Sequence, residues 1–402
     1  MIQTPIWWLF LVLAPVVYWL VPLRARFPLL ALTSMVLMAI YLKTDMIWML
    51  LVAAAVFAAT RVPRATAERL PAPVARLFHS PWAIWLVLLY FVWSKYLPAL
   101  LTGLAGDGLG AVVIPLGVSY FSFKLLHYAI EARRGNLPVH STADFAGWLF
   151  LAPIFTAGPI ERFEHFLKER DIAVFRWTFV VEGVMRIAQG LVKKFVLGWL
   201  VLEMIDHVTG KAGLVGMAQA ADAAPFWQVW AALILTLIYV YFDFSGYSDI
   251  AIGSARLFGL RIMENFNMPL VATNLQMFWQ RWHMTLANFC RTYIYMSMIG
   301  LTRNPYAAVL ATFATMGVWH SAGPQWVSWG LWHGVGLAWL LYWGQLQKKR
   351  RFTLFSTWYG AILGWILTIG YVALGGAFTA LFTKAPYSDS LRLIGMALGL
   401  VH

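Results

Sequence analysis

Apolar runs close to the length of a membrane crossing alternate with short polar connectors along most of the chain. A helix needs roughly 17–25 apolar residues to span a bilayer. By that measure residues 5–22, 27–42, 46–60 and 82–101 predict helices. Residues 111–129 predict another whose start is broken at Ile114-Pro-Leu-Gly117 and which closes at Glu131-Ala-Arg-Arg134. Residues 145–157 are apolar but too short to cross, and are expected to be re-entrant or interfacial. Over residues 161–176 charges alternate with Phe163, Phe166 and Phe175. That segment reads either as an amphipathic helix in the headgroup plane or as a solvated connector. Further spans fall at residues 178–205, 226–242, 306–319, 326–343 and 354–377, with a short surface helix over residues 386–402. The expected fold is all-α and polytopic, with roughly ten or eleven membrane segments, several of them short or re-entrant. No internal repeat divides it, so residues 1–402 are read as a single domain.

Composition supports the bilayer: 61% of residues are hydrophobic and 12% charged, where soluble domains carry about 25% charge. The net charge of +13 is spread singly or in short loop clusters, which is a topology and headgroup pattern rather than a nucleic-acid stripe. The most basic connectors are Arg61 to Arg76 and Lys348-Lys-Arg-Arg351. The positive-inside rule puts both in the cytoplasm, with Arg24 and Arg26, and the N-terminus outside. The first apolar run lacks a basic leader and a cleavage site, so it is expected to be a retained span. The lone Cys290 excludes an internal disulfide and any cysteine cage for a metal.

The pattern breaks between residues 243 and 334, where polar residues gather. Three histidines there each follow a tryptophan: His283, His320 and His333. Asp243, Asp249, Arg256, Arg261, Glu264, Arg281 and Arg291 stand around them and must pair, line water or lie at an interface. Gly253, Gly259 and Pro269 are expected to cut the region into interfacial pieces laced by ion pairs. His320 ends an apolar run, and Gly323-Pro324 halts the helix behind it, which suits a helix-end base beside a polar pocket. On one unbroken helix His320 and His333 would be thirteen residues apart, about 220° round and roughly 20 Å along the axis, and could not cooperate. The break lets the second segment fold back. His283 precedes Thr285 and Asn288, which can hydrogen-bond, in a stretch whose aromatic residues also fit interface anchoring. No Gly-x-Ser-x-Gly elbow, Walker loop or His-Glu-x-x-His occurs, and no histidine pair has the spacing of a metal platform. No metal or bound cofactor is expected.

These residues resemble a known family. Phe242-Asp-Phe-Ser-Gly-Tyr-Ser-Asp-Ile-Ala-Ile-Gly253, Glu264-Asn-Phe-Asn-Met-Pro269, Phe278-Trp-Gln-Arg-Trp-His-Met-Thr-Leu286, Arg291-Thr-Tyr-Ile-Tyr295 and Met316-Gly-Val-Trp-His320 are similar to the signature of the membrane-bound O-acyltransferases. Pro115-Leu-Gly-Val-Ser-Tyr-Phe-Ser-Phe123 and Ala157-Gly-Pro-Ile-Glu-Arg162 fit the bacterial branch that modifies alginate and teichoic acid. The motif core covers about residues 115–336.

The resemblance implies a funnel or pore through the membrane fold, with His320 as catalytic base and His283 as the second motif histidine. Trp282, Asn288, Trp319, Ser321, Asp243 and Arg281 are the expected substrate-binding residues. Ser321 departs from the family, which usually has glycine there. The implied reaction moves an acyl group, acetyl or D-alanyl, from an acyl-CoA or acyl-carrier-protein thioester in the cytoplasm to a hydroxyl of an envelope polysaccharide or polymer. Transfer would run directly or through a partner acyltransferase beyond the membrane, in the bacterial inner membrane. The rivals are a transporter or flippase without chemistry, and an inactive recruiting partner.

Overall fold

The computed structural model describes residues 1–61, 81–98, 100, 114–350 and 357–401. The basic connector beyond Arg61, the end of the fourth predicted span and Arg351 lie outside the described residues. The described chain is helical, with no strand among the described residues. Three described helices are long and apolar enough to cross a membrane: Leu23–Leu42, Phe226–Arg256 and Trp358–Ala380. The chain forms two compact units, Met1–Ala188 with Asp249–Met263, and Gln189–Ser248 with Glu264–His402.

In the first unit, α1 (Pro5–Leu20), α2 (Leu23–Leu42), α3 (Asp45–Arg61) and α4 (Trp82–Lys95) follow the predicted spans closely. The predicted break at Gly117 is real. Its φ of 75° lies in the left-handed region, and a Cβ there would strike the Phe155 carbonyl and ring, so α5 (Val118–Arg134) starts behind it. The apolar stretch at residues 145–157 becomes α6 (Thr142–Leu149) and a single 3₁₀ turn, Ala152–Ile154, buried within the protein. A capping box starts α6: Asp144 N–H donates to Ser141 Oγ at 3.2 Å and Ser141 N–H to Asp144 Oδ2 at 2.7 Å. At its other end the buried Lys124 ammonium donates to the Trp148 carbonyl at 2.9 Å, satisfying an acceptor the helix leaves open.

The amphipathic stretch forms α7 (Phe163–Asp171), with Phe163, Phe166 and Leu167 buried. The Ala157–Arg162 motif here is scaffold. Trp148 Nε1 donates to the Glu161 carbonyl at 3.1 Å, and Met263 N–H donates to Glu161 Oε2 at 2.8 Å. Later in this unit Gly253 lies against Gly183; a Cβ on Gly253 would come within 2.6 Å of the Gly183 carbonyl oxygen. Arg186 pairs with Asp249 at 2.7 Å and Arg256 with Glu182 at 2.8 Å beside this contact.

The helix α8 (Trp177–Leu191) runs through a π turn, Val192–Leu197, into α9 (Gly198–Val208). The second unit continues with α10 (Gly213–Gln219) and α11 (Phe226–Arg256). The apolar run expected to end at residue 242 therefore continues as helix for another fourteen residues, through Gly246 and Gly253. Glycine costs about 1 kcal/mol in a helix, but here its missing side chain permits backbone contact that would otherwise clash. The expected fragmentation at Gly253 is thus corrected, whereas Gly259, with φ 80°, does lie beyond the helix end.

Short helices α12 (Leu275–Arg281), α13 (Met284–Cys290) and α14 (Met296–Thr302) precede the longer α15 (Pro305–His320) and α16 (Pro324–Arg350). Helices α15 and α16 form a tight hairpin. A Cβ on Gly317 would overlap the Trp326 carbonyl oxygen, and one on Gly330 the Phe313 carbonyl oxygen, so these glycines set the backbone approach. Helix α17 (Trp358–Ala380) locks onto α16 through Trp332 Nε1–H donating to the Tyr371 carbonyl at 3.0 Å and a stacked Trp332–Tyr371 pair, 4.5 Å between centroids. The chain closes with α18 (Tyr387–Ala397), as the sequence predicts.

Candidate active site

Within the second unit residues of α9, α10, α11, α12, α13, α15, α16 and α17 line a cavity of about 670 Å³. His283, His320 and His333 all line it. Three histidines up to fifty residues apart in sequence thus meet around one space.

His320 is the last residue of α15. Ser321 leaves the helix in an extended conformation, Gly323 N–H donates to Ser321 Oγ at 3.2 Å, and Pro324 begins α16. The reversal is therefore built from the Ser-Ala-Gly-Pro string. It brings Trp326 over the imidazole, with ring centroids 4.2 Å apart and planes 16° from parallel. Trp319 packs on His320 at 4.4 Å and Trp329 meets it edge-on at 5.4 Å. Such aromatic contacts limit the ring's rotation.

Trp326, Trp329 and His333 fall on one face of α16, at the i, i+3, i+7 spacing. Trp329 touches both His320 and His333, the latter at 4.9 Å. His333, which the sequence leaves as an undistinguished Trp-His, is buried, and its Nδ1 has no hydrogen-bond partner among the described residues.

His283 is held differently. It precedes α13 with φ 43° and ψ 51°, a left-handed conformation that costs a non-glycine residue of order 1–3 kcal/mol. Around it the Glu264–Pro269 and Phe278–Leu286 motifs pair backbone to backbone. Asn267 N–H donates to the Arg281 carbonyl at 2.9 Å, and Met284 N–H to the Asn265 carbonyl at 2.9 Å. Phe266 and Phe278 enclose Trp282, at 5.2 Å edge-on and 5.4 Å stacked. Phe244 meets the His283 ring edge-on at 4.8 Å. His283 lies outside the membrane-length helices, and burial lowers its pKa to about 3, so it is neutral at physiological pH.

Of the residues expected in the site, His320, His283 and Trp282 line the cavity. Asp243 does not; it pairs with Lys194, because a carboxylate on a helix flank gains most from the nearest cation. Ser321 spends its hydroxyl on the turn. Trp319 packs behind His320, outside the lining. Asn288 and Arg281 are half-buried and also outside it. Sequence reasoning passed over Asp206 and Lys384, two exposed charges that line the cavity from the end of α9 and from the turn after α17, and Trp326 and Trp329. The charges carry no local signal, being single residues at or beyond a helix end. The tryptophans could have been found from their spacing to His333.

The profile of the membrane-bound O-acyltransferase family matches residues 36–382. Among curated proteins, the chain is 32% identical over 229 residues to the probable alginate O-acetylase AlgI of Pseudomonas aeruginosa, covering 54% of this chain and 41% of that protein. It is 29% identical over 239 residues to the teichoic acid D-alanyltransferase of Bacillus subtilis, covering 53% and 55%. It is 26% identical over 249 residues to the peptidoglycan O-acetyltransferase of Helicobacter pylori, covering 54% and 46%. The matches span about half the length of these relatives. The family profile covers nearly the whole run from the second helix to the end of the cavity wall, and on that ground the chain belongs to the membrane-bound O-acyltransferase family.

Proposed function

We propose that this protein transfers an acyl group, acetyl by preference, from a cytoplasmic thioester to a hydroxyl of an envelope polysaccharide or polymer. The carrying observation is the convergence of His283, His320 and His333 on one cavity. The relatives named for alginate and peptidoglycan O-acetylation support the acetyl reading. So does the wall chemistry: Asp206 is the one carboxylate among the described lining residues, and it is exposed at a helix end. An aminoacyl group would leave its ammonium against apolar and aromatic side chains, at a desolvation cost. The donor is acyl-CoA or an acyl-carrier protein, with no bound cofactor.

In the reaction His320 takes the proton of the attacking hydroxyl as the new C–O bond forms. The C–S bond then breaks, and the leaving thiolate recovers that proton. General-base assistance contributes typically 10²–10⁴-fold. The same reading sets roughly ten or eleven segments around a funnel in the inner membrane, with the N-terminus outside.

The test is transfer by purified protein in nanodiscs, followed as free thiol released from acetyl-CoA with an acetylatable oligosaccharide present. His320→Ala, folded as judged by its melting curve, is expected to lose at least about 100-fold in rate. Full activity in that variant would remove His320 as the base. Movement of unmodified oligosaccharide across the bilayer without thiol release would replace the transferase by a transporter.

A further inference from the structure

Asn265 is completely buried, and its side chain is the hub on which His283 depends. Its carboxamide oxygen faces three donors: Thr285 Oγ1 at 2.9 Å, His283 Nδ1 at 3.0 Å and Thr285 N–H at 3.3 Å. A backbone N–H can only donate, so the atom it meets must be oxygen, which settles which way the amide is turned. The amide nitrogen, on the other side, donates to Ser248 Oγ at 3.3 Å. With oxygen facing it, His283 Nδ1 must carry the proton. Nε2 of the neutral ring then holds a lone pair and no hydrogen.

We propose that Asn265 is a positioning residue for the transfer, fixing His283 as the Nδ1–H tautomer so that its Nε2 serves as a hydrogen-bond acceptor in the cavity wall. The proposal rests on the acyltransferase reading above. Its consequence is a division of labour. His283 cannot donate to the oxyanion of the tetrahedral intermediate, because its one N–H is spent on Asn265. It can accept an O–H, so its partner is a hydroxyl of the acceptor, distinct from the hydroxyl that gives its proton to His320. The acceptor class is therefore polyhydroxylated: one hydroxyl reacts and a second is held. The left-handed backbone at residue 283 belongs to the same device, since Asn265 also accepts Met284 N–H through its backbone carbonyl at 2.9 Å.

The test uses full-length protein in nanodiscs with ¹⁵N-labelled histidine, the His283 ring being assigned by its disappearance in His283→Gln. At pH 7 the wild-type ring is expected to show a protonated Nδ1 and a bare Nε2. Asn265→Leu removes the acceptor and is expected to shift the proton toward Nε2 and to lower kcat by about 10–100-fold, the usual range for a lost outer partner, with the thioester KM unchanged. Asn265→Asp offers oxygen at the same place and is expected to keep the tautomer and most of kcat. A proton on Nε2 in wild-type protein overturns the proposal, with no need for any variant to fold. So does Asn265→Leu with wild-type tautomer and kcat. A wild-type protein with the Nδ1–H tautomer but no acyl transfer would instead overturn the proposed function, and with it the role of Asn265 in transfer, while leaving standing only that Asn265 fixes the His283 tautomer.

Discussion

The histidines show how much one side chain's surroundings decide. His320 stacks on Trp326, whereas His283 is tied by a hydrogen bond to Asn265 and His333 sits against rings with its Nδ1 unpaired among the described residues. All three are Trp-His dipeptides; the sequence sets His320 apart by the Gly323-Pro324 break, and the structure adds the partners that distinguish each ring. His165, on α7, illustrates the opposite electrostatic case. Its bond to Glu161 raises its pKa against the opposing effect of burial. A raised histidine pKa contributes stability that is complete below about 6.5 and is lost as pH rises through the higher folded value. The melting temperature of wild-type protein is therefore expected to fall more between pH 6 and pH 8.5 than that of His165→Gln. Parallel slopes for the two proteins would show that the pair contributes nothing. His165 could not be picked out by pattern alone, because Glu161 belongs to a motif to which the resemblance assigns no role, and its bonds to Trp148 and Met263 are seen only in the fold.

Helix positions were largely legible as apolar runs, since a stretch without charges has few alternatives to a buried or lipid-facing helix. Helix ends were legible where proline or left-handed glycine stood, as at Gly117 and Gly323-Pro324, and illegible where glycine sat inside a helix. Gly253 reads as a breaker but is a packing contact, because its effect depends on a helix that the local sequence does not reveal. The α15–α16 hairpin gives this idea a test. Gly317→Val would force a side chain into the Trp326 carbonyl, and overpacking of this kind costs about 1–3 kcal/mol or more. On α16 itself, a Cβ at Gly344 meets nothing within 4 Å, so Gly344→Ala is expected to be neutral or stabilising by up to about 1 kcal/mol. Thermal melts of the two variants should therefore move in opposite directions or leave only Gly317→Val destabilised. Equal shifts would mean that the hairpin is not held by close backbone approach.

For the whole molecule, α1 exposes Leu9, Val12, Leu13, Val16 and Leu20, and α17 exposes Ile362, Trp365 and Ile366. Surfaces this apolar belong in lipid. The buried Cys290 makes topology mapping simple: in a Cys290→Ala background, a cysteine at Gln3 is expected to react with an impermeant maleimide from outside the cell, and one at Lys349 only after permeabilisation. The reverse pattern would invert the orientation drawn from the basic connectors. The sequence by itself determined that the chain is helical and membrane-bound, where its polar residues concentrate, and which family its motifs match, because hydropathy and short motifs are local properties of the chain. Only the tertiary structure decided which polar residues share a space. Asp243, Asn288, Arg281 and Ser321 lie in the same polar stretch as His283 and His320 yet outside the cavity lining, while Asp206, from the end of α9, and Lys384, from the turn after α17, reach it from far away in sequence. Cavity membership depends on which face of each helix turns inward, and that is set by long-range packing, which proximity in sequence does not encode.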